Sequence, residues 1–238
     1  MIRKINVGHS EYRRSRDEES QNISCTQIPH FARLDKFKHF LILAMFFFLS
    51  ACGRNFTPEQ KSYIAKIEKE REVKNEWMKN DSTSPFNKKG KIEFHNLNYF
   101  DVDPDFVFKS KLYPYSPKDT VKVMGTKGDE RKMVRYGYFL INHDKKDFKV
   151  NFYEGSTMDG EKYYTISFTD LTTNKETYGV GRYIEMGLNP APNHLYEVDF
   201  NLAFSPYCAY SPNYSCSIPL KEDYIPIAIR AGEKKYHD

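Results

Sequence analysis

A short apolar run that closes on Leu49-Ser50-Ala51-Cys52 limits which part of this 238-residue chain can fold as a domain. The mostly apolar residues 40–50 form its body, and it follows three basic residues, Arg33, Lys36 and Lys38. A charged stretch, an apolar stretch and a small-residue site, in that order, are typical of a secretory signal peptide. A transmembrane helix fits less well, because spanning a bilayer core of roughly 30 Å takes about 20 apolar residues.

The tetrad resembles the processing site of bacterial lipoproteins. In that family the cysteine becomes the first mature residue and carries a diacylglyceryl thioether and usually an N-acyl chain. The resemblance implies lipidation of Cys52 and a membrane partner held through that anchor, since several acyl chains together bind a bilayer firmly. Gly53 follows the cysteine in place of the aspartate that often retains such proteins in the inner membrane. We therefore expect a cell-envelope location, at the outer membrane and facing the periplasm.

Processing at Cys52 would divide the chain into three segments. Residues 1–51 are interpreted as a leader and signal peptide, and a start codon assigned too far upstream would explain residues 1–30. Residues 52–57 would form the lipidated tether. Residues 58–238 would form one domain.

The charge balance argues against a nucleic-acid partner. Eight of the 36 Lys and Arg residues and five of the 32 Asp and Glu residues lie in residues 1–51. The remainder holds 28 basic and 27 acidic residues, a formal charge of +1. Nucleic-acid binding needs a clustered basic face, and no such cluster is evident.

The four cysteines support an exported protein. Cys25 would leave with the leader and Cys52 would be lipidated, so Cys208 and Cys216 remain. An even pair in an oxidising compartment is most simply a disulfide. No metal site is predicted, because two cysteines without a nearby histidine cannot complete a tetrahedral zinc shell.

The remainder of the pattern predicts a mainly β fold with one N-terminal amphipathic helix. Thr57-Pro58-Glu59-Gln60 is a strong helix start, and the helix should cover residues 58–79. Short strand patterns then alternate with turns, and a hairpin is expected across residues 142–145. Consecutive antiparallel strands predict a meander that forms a barrel or curved sheet. The expected strands are residues 92–95, 105–109, 120–124, 132–141, 147–154, 162–169, 177–184, 195–200 and 225–230, with a long ordered loop over residues 201–224.

Two sequence blocks resemble a bacterial and archaeal family known as domain of unknown function 1684. The first runs from Glu176 to Tyr183 and spells E-T-Y-G-V-G-R-Y. The second runs from Asp199 to Ala209 and matches D-F-N-x-A-x-x-P-x-C-A. The resemblance covers roughly residues 60–236, and Glu185 stands where aspartate is common. It implies a shared set of motifs and no particular activity.

The candidate ligand or catalytic pocket comprises Arg182, Asp199, Asn201, Tyr183 and Glu185. Arg182 and Asp199 could form a buried ion pair between strands, or the floor of a pocket that holds an anionic ligand. Asn201 would suit either a loop-bracing or a ligand-binding role.

No catalytic motif stands out, so several functions remain open. The first is a lipoprotein whose β domain binds a small ligand or supports the envelope. The second is a hydrolase-type enzyme that uses the polar pocket around Arg182, Asp199 and Asn201. A flavin-binding split barrel is a third option, suggested by the strand meander alone. No cofactor is predicted, because Gly179-Val180-Gly181 lacks the third glycine of a nucleotide motif and precedes a strand. Tyr207, Tyr210 and Tyr214 could form a stacking surface or pack around the disulfide.

Overall fold

The helix α1, Pro58–Asn80, begins where its capping residues predict. The structure is a computed structural model that describes residues 54–157, 159–191 and 193–237, and the leader and Cys52 lie outside these residues. The Thr57 side chain accepts the Gln60 backbone N–H, while the Gln60 side chain accepts the Thr57 N–H, which completes a capping box. Nowhere in the described residues is a helix long and apolar enough to cross a membrane.

The expectation of a mainly β fold is confirmed. The strands are β1 Val107–Lys111, β2 Tyr113–Met124, β3 Glu130–His143, β4 Lys146–Ser156, β5 Lys162–Asp170, β6 Arg182–Glu185, β7 Leu195–Asp199 and β8 Tyr224–Ile225. Strands β2 to β6 pair in sequence order as an antiparallel meander that curls into a half-barrel, and β8 adds to β5 in parallel. β1 and β7 form a separate antiparallel pair, joined residue by residue from Val107 opposite Asp199 to Lys111 opposite Leu195.

The predicted hairpin joins β3 to β4 through a two-residue turn. His143 pairs with Lys146, and the intervening Asp144 and Lys145 both have positive φ, 50° and 61°. Two positive φ angles define a turn whose twist matches that of the flanking strands. The hairpin turn therefore follows the twist of the sheet, although it places two non-glycine residues in the left-handed backbone region.

Three of the expected strands are absent or shortened in the structure, and β2 begins seven residues before the strand expected at 120–124. Residues 92–95 form no strand, and the strands expected at 177–184 and 225–230 shrink to β6 and β8. The strand expected at 177–184 is shorter because a hydrogen-bonded turn follows β5. In this turn the Asp170 carboxylate accepts the Thr172 N–H and hydroxyl. Gly181 then leads into β6 with a φ of 118°, and a Cβ there would lie 2.6 Å from the Phe168 carbonyl oxygen.

The main core lies between the half-barrel sheet and the β1–β7 pair. Apolar side chains of β3, β4, β5 and β6 pack there against the β1–β7 pair, with Phe200 in edge contact with both Phe108 and Phe168. A second cluster joins Met78 of α1 to Phe86, Tyr210 and other rings. The helix is therefore packed against irregular segments of the chain through a mainly aromatic cluster.

A buried ion pair connects β5, β6 and residues 229–233. Arg182 is 1 % exposed, and its Nη2 lies 3.0 Å from Oδ2 of Asp170. The guanidinium also donates to the carbonyl oxygens of Ile229, Ala231 and Glu233. A buried charge needs such a full set of partners, because desolvation of an unpaired ion costs several kcal/mol.

We predict that Arg182→Met destabilises the protein strongly. Removal of the guanidinium leaves the Asp170 carboxylate buried without its counter-charge, a change that typically costs about 3–5 kcal/mol. Urea unfolding followed by circular dichroism measures the effect. Arg230→Met is the matched control, because Arg230 also lies 3.0 Å from a carboxylate, that of Glu176, but on the surface. Equal unfolding midpoints for the two variants would contradict the prediction.

Candidate functional site

A cavity of about 480 Å³ lies between the last two turns of α1 and the sheet. The helix contributes Lys74, Trp77 and Met78 to its lining. The remaining lining residues belong to β3, β5, β6 and residues 204–217. A helix, a sheet face and an irregular segment thus enclose one space.

The sheet side of the cavity follows from the register of β5 against β6. The register places Thr165 opposite Glu185 and Ser167 opposite Tyr183, and all four side chains line the cavity. Because successive residues of a strand point to opposite faces, Arg182 points away from them. Its guanidinium lies in the buried ion pair instead.

Aromatic rings dominate the lining. The rings of Tyr207 and Tyr214 meet edge to face with centroids 5.3 Å apart, and those of Tyr183 and Phe204 lie 6.1 Å apart. The Tyr183 hydroxyl donates to the carbonyl oxygen of Ser217, and burial raises the pKa of Tyr183 well above its usual value. The six rings are those of Trp77, Tyr163, Tyr183, Phe204, Tyr207 and Tyr214.

Both cations that line the cavity are already paired with carboxylates. The Lys74 ammonium lies 2.7 Å from Oε1 of Glu233, whose side chain is 2 % exposed. Glu233 also accepts the Ser205 N–H and the Tyr210 hydroxyl. Arg131 contacts Asp129 at 2.9 Å and donates to the Ser215 carbonyl. These charges are therefore largely balanced by the protein.

Glu185 is the third charged residue of the lining and has no ion-pair partner among the described residues. It is exposed at the cavity. Its negative charge adds to the effect of burial in raising the pKa of Tyr163 and that of Tyr207. Glu185 therefore supplies a negative charge without an ion-pair partner beside two aromatic rings, and at Tyr163 the positive charge of Arg131 opposes its effect on the pKa.

The two cysteines predicted to pair are neighbours at the cavity. Cys216 belongs to the lining, and the Cys208 N–H donates to the Cys216 sulfur at 3.2 Å. Both are thiols in this structure. A hydrogen bond from the Cys216 thiol lowers the pKa of Cys208 to about 6, and the same contact with burial raises that of Cys216. No group of three or more potential metal ligands occurs in the described part of the chain.

The five predicted pocket residues do not lie together. Tyr183 and Glu185 line the cavity, whereas Arg182, Asp199 and Asn201 do not. Asp199 accepts the Tyr63 hydroxyl at 2.7 Å and the Asn201 N–H at 2.9 Å, so it joins α1 to the end of β7. An ion pair with Arg182 was one of the two arrangements considered for Asp199, but Arg182 pairs with Asp170 instead.

Asn201 has the loop-bracing role. Its side-chain oxygen accepts the Asp103 N–H at 2.8 Å, and its amide donates to the Asp103 carbonyl at 2.8 Å. This two-way contact joins residues 98 positions apart in the chain. The Asn201 side-chain amide therefore pairs with the backbone N–H and carbonyl of Asp103, in the segment before β1, as a neighbouring strand would.

Sequence reasoning did not identify Lys74 or Arg131 as cavity residues. A signal for Lys74 was present, because it lies seven residues after Ile67 and four before Met78, the two buried residues of α1. Residues at such spacings share one helix face. Arg131 offers no such signal, since the contacts of its side chain depend on where residues 215–217 return to the sheet.

A second cavity, of about 530 Å³, lies beside β1, β2, β3 and residues 188–191 and 193–196. None of the five predicted pocket residues lines it. Lys111 is its one residue of fixed charge, and the Lys111 ammonium donates to the Asn193 side chain. The first cavity is lined by three residues of fixed charge and the second by one.

A family model described as protein of unknown function (DUF1684) matches residues 92–234. The chain belongs to this family. A DUF1684 assignment names no activity, and no curated protein matches the chain. The solution NMR structure of an uncharacterised protein from Haloarcula marismortui is similar, with 24% identity and a TM-score of 0.56. The match covers 74% of this chain and 96% of that one, and at this identity it supports the fold alone.

The two blocks that carry the resemblance to DUF1684 meet in space. Tyr183 and Phe204 exchange backbone hydrogen bonds of 2.9 Å in both directions. The Tyr178 hydroxyl donates to the Cys208 carbonyl at 3.2 Å. The first block therefore ends on the cavity, and the second forms the segment that packs over it.

We predict that Cys208 is the more acidic thiol of the reduced protein. Its alkylation by iodoacetamide should reach half its maximal rate near pH 6, because only the thiolate reacts and the Cys216 thiol stabilises it. Peptide mapping by mass spectrometry after reduction assigns each modified cysteine. Cys216→Ala removes the hydrogen-bond donor and should move the midpoint upward. An unchanged midpoint in that variant would show that the proposed contact does not set the pKa.

Proposed function

We propose that this protein is a lipid-anchored envelope protein whose half-barrel domain binds a small organic ligand in the 480 Å³ cavity. The observation that carries the proposal is the cavity itself, which combines six aromatic rings with a few polar groups. Its volume falls in the range of about 300–1,000 Å³ that is usual for ligand sites, and ligand sites are mostly apolar with few placed polar groups.

The distribution of polar contacts favours binding over hydrolysis. Arg182, Asp199 and Asn201 each bond to protein groups away from the cavity. Among the residues that do line it, Lys74 and Arg131 are paired with carboxylates. A hydrolytic enzyme needs a nucleophile or base in contact with the group that orients it. Ligand binding requires no such constellation.

The anchor belongs to the proposal because of the sequence order around Cys52. The apolar run and the tetrad precede the tether, and α1 begins at Pro58, six residues after Cys52. A lipid on Cys52 would hold the domain at the outer membrane on its periplasmic side. In that oxidising compartment Cys208 and Cys216 would form a disulfide, closing a short loop with a gain of roughly 2–3 kcal/mol on the chain-entropy model. Their 3.2 Å backbone-to-sulfur contact supports the pairing.

We predict that ligand binding changes the fluorescence of Trp77. It is the one tryptophan of the chain and lines the cavity, so its emission reports on that site. Full-length protein in detergent would be screened with sugars, amines, amino acids and aromatic acids, with thermal denaturation as a second readout.

Ser167 offers a matched pair of variants for the same screen. Its small side chain is buried in the cavity lining, so Ser167→Phe should fill the space and abolish binding, while Ser167→Ala should keep it. If no ligand class alters either readout, or if a ligand binds Ser167→Phe unchanged, the cavity is not the binding site.

We predict that Cys52→Ser releases the protein from the membrane fraction. The thiol is the atom that would carry the lipid, and serine cannot form the thioether. Metabolic labelling with a palmitate analogue and cell fractionation measure the change, with Cys25→Ser as the control. Equal labelling of the Cys52→Ser and unmutated proteins would exclude the anchor.

A further inference from the structure

We propose that the ligand of the 480 Å³ cavity is an organic cation, an alkylated ammonium group held against aromatic rings and the Glu185 carboxylate. The proposal rests on the proposed function, because it names the class of ligand for the same site. Aromatic rings attract cations through their negative faces, and cages of such rings recognise quaternary ammonium groups.

The first argument is the charge balance of the lining. The ammonium of Lys74 and the guanidinium of Arg131 each contact a carboxylate of the protein, at 2.7 Å and 2.9 Å. Lys162, next to Tyr163 on β5, is also paired, with Glu154 at 2.8 Å. Glu185 has no such partner in the described ranges. The charge that a ligand can still neutralise is therefore negative.

The second argument is the position of Glu185 among the rings. It lies two residues after Tyr183, so both side chains project from the same face of β6. In the register of β5 and β6 it lies opposite Thr165 and diagonal to Tyr163, at a spacing of about 7–8 Å that aromatic side chains can bridge. The cation of a ligand near Glu185 would therefore also meet aromatic surface.

The third argument is that a ring of this lining already accepts a cation. The Lys74 ammonium lies 4.9 Å from the centroid of the Phe204 ring. Lys89 makes a similar contact from outside, 4.5 Å from the centroid of Tyr214. The Tyr207 and Tyr214 rings meet edge to face, and no cation contacts the Tyr207 ring among the described residues. Tyr207 is also 38 % exposed, so its ring is accessible to a ligand.

The test compares probes that share one benzyl group and differ in charge. Full-length protein in detergent would be titrated with benzyltrimethylammonium, methyl benzyl sulfone and benzylsulfonate, by calorimetry and by Trp77 fluorescence. We expect the cation to bind, and to bind at least tenfold more tightly than the neutral probe and the anion. Its affinity should fall as salt rises, since salt screens an exposed charge.

Two matched pairs of variants test the two contacts. Glu185→Gln should weaken binding of the cation about tenfold, whereas Glu161→Gln, a change outside the cavity, should not. Tyr207→Leu should weaken it several-fold through loss of the ring, and Tyr207→Phe should preserve it. Circular dichroism confirms that each variant is folded.

These experiments test the cation assignment separately from ligand binding in the cavity. Tighter binding of benzylsulfonate, or cation binding that Glu185→Gln leaves unchanged, would overturn the cation assignment while ligand binding in the cavity stands. Absence of binding by all three probes would also overturn it. The proposed function fails only if the wider ligand screen and the Ser167→Phe comparison are negative as well.

Discussion

The rest of the domain depends on the contacts of the buried Arg182 guanidinium. It joins the carboxylate at the end of β5 to three carbonyl oxygens of residues 229–233, and the Asp170 carboxylate in turn accepts the Ile229 N–H at 3.0 Å. A charge removed from water is tolerated only when every donor has a partner, so the three segments are fixed together or not at all. The same segment carries Glu233, which pairs with Lys74 of α1. Helix and sheet are thus joined through one irregular segment.

This arrangement separates the polar groups that stabilise the fold from those left for a ligand. Glu233 neutralises Lys74 from the protein side, and Asp129 does the same for Arg131. Asp199 and Asn201 are occupied by Tyr63 and by the segment before β1. The aromatic rings and Glu185 remain at the cavity, and Glu185 has no ion-pair partner among the described residues. The proposed ligand would be bound through shape, aromatic surface and one charge.

Features set by residues close together in the sequence could be predicted. Features that depend on which distant segments pair with each other could not. The capping box located the start of α1, and the alternating pattern located β3, β4 and their turn. The pairing of β1 with β7 joins segments about 90 residues apart, which no local pattern encodes. For the candidate site, the two-residue period of β6 already separates Arg182 from Tyr183 and Glu185. This period alone places Arg182 on the buried face of β6 and Tyr183 and Glu185 on the cavity face.

The dependence on residues 229–233 also sets the order in which the domain can form. Ile229 lies 47 positions after Arg182, so the ribosome adds the carbonyl groups that solvate the guanidinium long after β6. Until then the arginine must stay in water, and β6 cannot settle into its buried position. Long-range contacts of this kind slow folding. The domain can therefore reach its native packing only after residues 229–233 have been synthesised, close to the end of translation.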